Sequence, residues 1–154
     1  LDDITTTLTS RRKIMPEKNQ ALLDALNEAI AEELTAITQY MWHHVMAVGL
    51  DSPPASEVFR KASIQEMVHA EDLAERLNYL GGVPTTKPHE IKVGGDLRTM
   101  LQQDLKLEND AIAMYKRMIG MCGDDITTRR LLEDILAEEE DHADRFETLL
   151  GIEK

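Results

Sequence analysis

Glycine and proline constrain this chain most, because they are gathered into so few places. Apart from Pro16 and Gly151, they occupy three stretches: Gly49 to Pro54, Gly81 to Gly95 and Gly120 to Gly123. The segments between them carry apolar residues at steps of three and four. That period predicts helices over about 17–48, 53–80, 96–121 and 124–150. Aromatics are only 4% of the chain, and Ala, Leu, Glu, Asp and Met fill these segments, as helices prefer. Ser52 ahead of Pro53 and Pro54 predicts an N-cap, Asp96 and Asp124 are placed to cap the third and fourth helices, and Gly81-Gly82 stops the second. The first and last connections are short, so each joins an antiparallel pair. The middle one, Gly81 to Gly95, has no helical period. Its roughly fifteen residues span ~50 Å when extended at ~3.3 Å each, whereas a helix of ~27 residues is ~40 Å long. It is therefore long enough to run the length of the bundle, and the expected fold is an all-α antiparallel four-helix bundle with one long crossover.

A length of 154 residues favours one domain over residues 16–154, preceded by a flexible arm at 1–15. Arg11-Arg12-Lys13 in that arm reads as a solvated tail. The net charge of −12 argues against nucleic acid or an anionic membrane as a partner. A single cysteine, Cys122, excludes an internal disulfide framework, a multi-cysteine zinc site and an iron–sulfur cluster. No apolar run approaches the ~20 residues of a membrane span, and the start has no basic-then-apolar leader. The expectation is a cytoplasmic protein. Its first residue is Leu1, which leaves room for residues upstream.

The inward stripes carry charge. On the second segment the stripe is Phe59, Ala62, Glu66, His69, Leu73, Leu80, and on the fourth Leu132, Ile135, Glu139, His142, Phe146, Leu149. Each is apolar at its ends with a Glu and a His three residues apart in the middle. On the first it is Leu22, Leu26, Ala29, Glu33, Ala36 or Ile37, Tyr40, and on the third Leu97, Leu101, Glu108, Ala111 or Ile112, Tyr115, Cys122. Four carboxylates and two imidazoles thus meet at one level of the core. Burying unpaired carboxylates is very costly, and Lys and Arg sit mainly at outward phases. Metal is the remaining compensation. Oxygen-rich ligation with one imidazole per ion suits iron or manganese better than a closed zinc site. Each half of the chain supplies Glu and then Glu-x-x-His, which makes six ligands for two ions in near two-fold symmetry.

At these residues the chain resembles the bacterioferritin branch of the ferritin-like superfamily, together with related Dps-like proteins holding an intrasubunit di-iron centre. The matching pieces are Glu33-Leu34-Thr35-Ala36-Ile37-Thr38-Gln39-Tyr40, Glu66-Met67-Val68-His69-Ala70-Glu71, Asp104-Leu105-Lys106-Leu107-Glu108 and Glu138-Glu139-Glu140-Asp141-His142, within about residues 20–150. The resemblance implies that Glu33 and Glu108 are terminal ligands, Glu66 and Glu139 bridging ligands, and His69 and His142 one imidazole per iron. It gives Tyr40 the role of an electron-supplying tyrosine beside the centre; from the residues alone, a core aromatic reads as well. It implies haem b between two subunits, held by Met67 of each, against a methionine that only packs. Two features depart from the branch. Its inner-surface iron site uses a His and an Asp where this chain has Lys61 and Gln65, and the sequence stops at Gly151-Ile152-Glu153-Lys154 without the short fifth helix of 24-subunit shells.

The activity so implied is oxidation of Fe(II) by O₂ or H₂O₂, feeding an iron store. The alternative is a non-storage di-iron or di-manganese peroxidase or oxygenase. A second apolar stripe, Ile30, Leu34, Ile37 and Met41, faces the side where Ile64, Met67 and Val68 emerge. It predicts a homodimer, with a shell of 12 or 24 subunits as the larger alternatives. His43, His44 and His89 are expected in surface or capping roles, and Cys122 as a small apolar filler.

Overall fold

The computed structural model describes residues 17–152, so the predicted arm and its Arg11-Arg12-Lys13 lie outside the described residues. Four helices follow one another: α1 (Glu17–Met46), α2 (Ser52–Tyr79), α3 (Leu97–Met121) and α4 (Ile126–Leu150). α1 packs chiefly on α2 and α3 on α4, as the short connections require. No strand occurs among the described residues, and none of these helices is long and apolar enough to cross a membrane.

Two caps differ from expectation by one residue. Ser52 is the first helical residue of α2 rather than its cap; Asp51 takes that position, and the Ser52 hydroxyl donates to the Gly49 carbonyl at 2.7 Å. α4 is capped not by Asp124 but by Asp125, whose carboxylate accepts from the Thr128 amide at 3.0 Å and from Arg76 at 2.7 Å. Asp96 caps α3 through the Thr99 amide at 2.8 Å, as predicted. Thr128 and Arg76 more than offset the desolvation of Asp125 and lower its pKa. A depressed carboxyl stabilises the fold above its unfolded value of about 3.9 and loses that contribution as pH falls through the folded value. Asp125→Ala is therefore expected to cost about 1 kcal/mol near pH 7 and progressively less below pH 4, read from urea melts across pH.

The crossover has no secondary structure to satisfy its amides, and α1 side chains do so instead. Asn27 accepts from the Thr85 amide at 2.7 Å and donates to the Val83 carbonyl at 3.0 Å. The Thr35 hydroxyl accepts from the His89 amide at 2.8 Å, and the Gln39 carbonyl from the Lys92 amide at 2.9 Å. An extended segment held this way lies along α1 and delivers α3 antiparallel to its partner α4.

The core is divided in two. Leu22, Leu26, Leu73, Leu77, Met114, Met118 and Leu132 fill one cluster, and Tyr40, Phe59, Met100, Leu101 and Phe146 the other. Some stripe ends shift accordingly: Leu77 and Leu150 are buried where Leu80 and Leu149 were expected, and Met118 joins them. Ile30 also departs from expectation. At 2% exposure it belongs to the core rather than to an outer stripe. Between the two clusters lies the charged layer.

Candidate metal centre

All six sequence-predicted ligands meet in this layer, and each is at most 2% exposed. The inward phase of each helix carries them there, since 3.6 residues per turn puts Glu66 over His69 and Glu139 over His142. One donor atom from each of Glu33, Glu66, His69 and Glu139 falls within 4.8 Å of the others, and the same holds for Glu66, Glu108, Glu139 and His142. Glu66 and Glu139 belong to both sets. Glu66 places one oxygen 2.8 Å from His69 Nδ1 and the other 2.8 Å from His142 Nδ1. Glu139 Oε1 lies 2.8 Å from His69 Nδ1 and its Oε2 3.8 Å from His142 Nδ1. The shared carboxylates therefore lie between two imidazoles, each of which points Nδ1 inward.

The electrostatics are those of a site where protons stand in for cations. Burial raises the Glu33 carboxyl well above its ordinary range, reinforced by Glu139 and Glu66. Burial does the same to Glu108, with Glu66 beside it. Burial also opposes ionisation of Glu139, but the adjacent His142 and His69 imidazoles overcome it and hold that carboxyl far below the usual range. Desolvation alone would lower the His142 pKa; the Glu108, Glu139 and Glu66 carboxylates push it up to about 12. His69 is raised in the same way by Glu139, Glu33 and Glu66. Even so, Glu66 Oε1, Glu139 Oε1 and His142 Nδ1 remain buried without hydrogen-bond geometry to any partner. Inward donor atoms that cannot satisfy one another are the chemistry of a metal-binding site, and oxygen-rich sets with one nitrogen each fit iron or manganese.

Two tyrosines close the layer. Tyr40 donates to Glu108 Oε1 at 2.7 Å, and its ring packs edge-on to Phe146 at 5.5 Å between centroids. Tyr115, expected only as a core residue, donates to Glu33 in the matching position. Both hydroxyls are raised well above their ordinary pKa by burial and then by the adjacent glutamate, which keeps them protonated as donors. A small cavity between α1 and α3, lined in part by Glu32, Ala36, Leu107 and Ala111, reaches Glu33, Glu108, Glu139 and Tyr40. Glu32 also lines a groove of about 420 Å³ on the outside.

The histidine expectations divide. His89 is exposed beside Glu28 and Glu32, and His44 links the end of α1 to Ser56 of α2. His43 contradicts the surface or capping role: it is fully buried, with Nδ1 2.9 Å from both oxygens of Asp104. Gln39 donates to Asp104 at 2.8 Å, completing a polar network one turn beyond Tyr40 and Glu108. The signal was in the sequence, since His43 continues the phase of Tyr40 and Asp104 that of Glu108. Cys122 is buried near the end of α3, as a filler would be. Met67 is 53% exposed on the outer face of α2 and does not enter the centre.

A four-helix bundle with one crossover and two overlapping Glu/His donor sets in its core defines the class of carboxylate-lined metal-centre bundles. A model of the ferritin-like domain matches residues 23–154. Bacterioferritin of Mycobacterium leprae is 37% identical over 134 residues, which cover 85% of this chain and 84% of that one. Bacterioferritin BfrA of Mycobacterium tuberculosis matches with the same identity and coverage. Bacterioferritin of Desulfovibrio desulfuricans is 34% identical over 136 residues, or 86% of this chain and 76% of that one. The chain belongs to the ferritin-like family, in its bacterioferritin branch.

Proposed function

We propose that the protein is a ferroxidase of iron storage: two Fe(II) ions bind as substrate between the six residues, each gives up one electron to O₂ or H₂O₂, and the Fe(III) product is stored. The observation that carries this reading is the sharing of Glu66 and Glu139 between the two donor sets. Carboxylates shared by the two positions would stabilise the higher charge of the oxidised pair, and two adjacent ions would supply two electrons together. Tyr40 and Tyr115 hold Glu108 and Glu33 in place by their hydrogen bonds, and Tyr40 is positioned to supply a further electron. The cavity lined by Glu32 offers Fe(II) an acidic approach.

Fe(II) oxidation followed by absorbance tests the activity; a wild-type rate no faster than buffer, in protein whose native metal is shown to be iron, overturns it. Size-exclusion chromatography with light scattering tests storage. A shell supports it, whereas a plain dimer favours a non-storage enzyme.

Assembly begins, in this reading, with a homodimer. Met41, Ile64, Met67 and Val68 are each about half exposed, and Leu34 and Ile37 adjoin them. Leaving this face in water would forfeit ~25 cal/mol for each Å² of apolar area. Leu34→Lys is expected to convert the dimer to monomer at micromolar concentration, as measured by light scattering. Met67 of each subunit would hold haem b across that interface, its exposed thioether being the right soft donor; haem would supply an electron-transfer group. Met67→Leu should abolish haem absorption and leave the dimer intact.

A further inference from the structure

The two halves of the centre match in their inward donors but differ behind the histidines. Both histidines turn Nδ1 inward and Nε2 outward. His69 Nε2 donates to Glu138 Oε2 at 2.6 Å, whereas His142 Nε2 donates to Gln65 Oε1 at 3.1 Å. Gln65 Nε2 in turn donates to Glu138 Oε2 at 2.5 Å. The result is a continuous strap across α2 and α4, running from His142 through Gln65 and Glu138 to His69. Gln65 and Glu138 occupy equivalent places, each immediately before a shared glutamate, and one is an amide while the other is an acid.

The difference has a chemical consequence. A carboxylate accepts a shorter and stronger hydrogen bond from an N–H than an amide carbonyl does. Drawing the Nε2 proton outward raises the donor strength of Nδ1, the atom directed at the metal. His69 has this support and His142 has the weaker one, while the carboxylates around them are the same in kind. Glu138 is 47% exposed, so water moderates the effect without removing the difference in partner.

We propose that Glu138 and Gln65 are positioning residues that make the two metal positions unequal, so that the first divalent ion enters the position flanked by Glu33 and His69. The inference rests on the metal-centre reading above. It is tested with Co(II), a divalent ion visible by anomalous scattering. Crystals of the full chain loaded with one equivalent should show several-fold higher occupancy at the His69 position, and two equivalents should fill both. Glu138→Gln should bring the occupancies together and weaken the first binding step about tenfold by titration. The exchange Gln65→Glu with Glu138→Gln keeps the charge and the hydrogen bonds of the strap but should move the preference to the His142 position, which a merely structural role does not predict. Equal occupancy in the wild type, or a preference unmoved by the exchange, overturns the inference and leaves the centre standing. No Co(II) at either position with two equivalents overturns the centre, and the inference with it.

Discussion

Glu66→Ala is expected to lower the rate of Fe(II) oxidation by more than about 100-fold, beyond the range for losing an outer-shell partner of a metal ligand. Its two oxygens face His69 Nδ1 and His142 Nδ1 at 2.8 Å each, so one substitution strips a ligand from both positions. Glu33→Ala touches one donor set only and should be the milder change. Stopped-flow absorbance on the two variants side by side checks the order; equal losses would show that Glu66 is not shared. The same centre should release protons when it is loaded. Glu33, Glu108 and His142 hold protons because burial raises the two acids and surrounding carboxylates raise the imidazole. Metal ligation requires those protons to leave, so affinity should rise with pH and fall as pH drops. A pH-stat titration with Co(II) reads the protons directly, and binding without release would contradict the assignment of these residues as ligands.

Asp104→Ala is expected to be the most damaging change outside the centre. The aspartate and His43 are both fully buried, and Gln39 also donates to it. Removing one partner leaves the other desolvated and unsatisfied, at a cost of about 3 kcal/mol. For a chain of this size that lowers the melting temperature by about 10 °C. Replacing both His43 and Asp104 by leucine should recover part of the loss, because the buried imidazole is then no longer orphaned and only the Gln39 amide lacks its partner. Calorimetry of the metal-free protein decides it: a double variant no more stable than Asp104→Ala would show that the pair contributes through shape rather than through pairing.

Much of the fold was legible because its signals are local. Where Gly and Pro fall determines where helices end, and the length of Gly81 to Gly95 determines which pair of helices the long connection joins. The six centre residues were legible for a stronger reason. Glu33, Glu66, Glu108 and Glu139 stand at inward phases where a carboxylate is too costly to keep without a cation, and two histidines share their level.

What periodicity cannot supply is how one helix is rotated and shifted against another. That rotation sends Ile30 into the core while leaving Met41 and Met67 outside, although one apolar stripe seemed to hold both Ile30 and Met41. It pairs Tyr40 with Glu108 and Tyr115 with Glu33 across α1 and α3, and it brings His43 to Asp104, residues sixty-one apart in the chain. It also joins Gln65 to Glu138 and points both Nδ1 atoms inward. The amino-acid sequence by itself determined the helices, their order and the chemistry of the charged layer, since these depend on spacing along one axis. Only the tertiary structure decided which groups touch across the layer, because a hydrogen bond between helices depends on distances that no single helix contains.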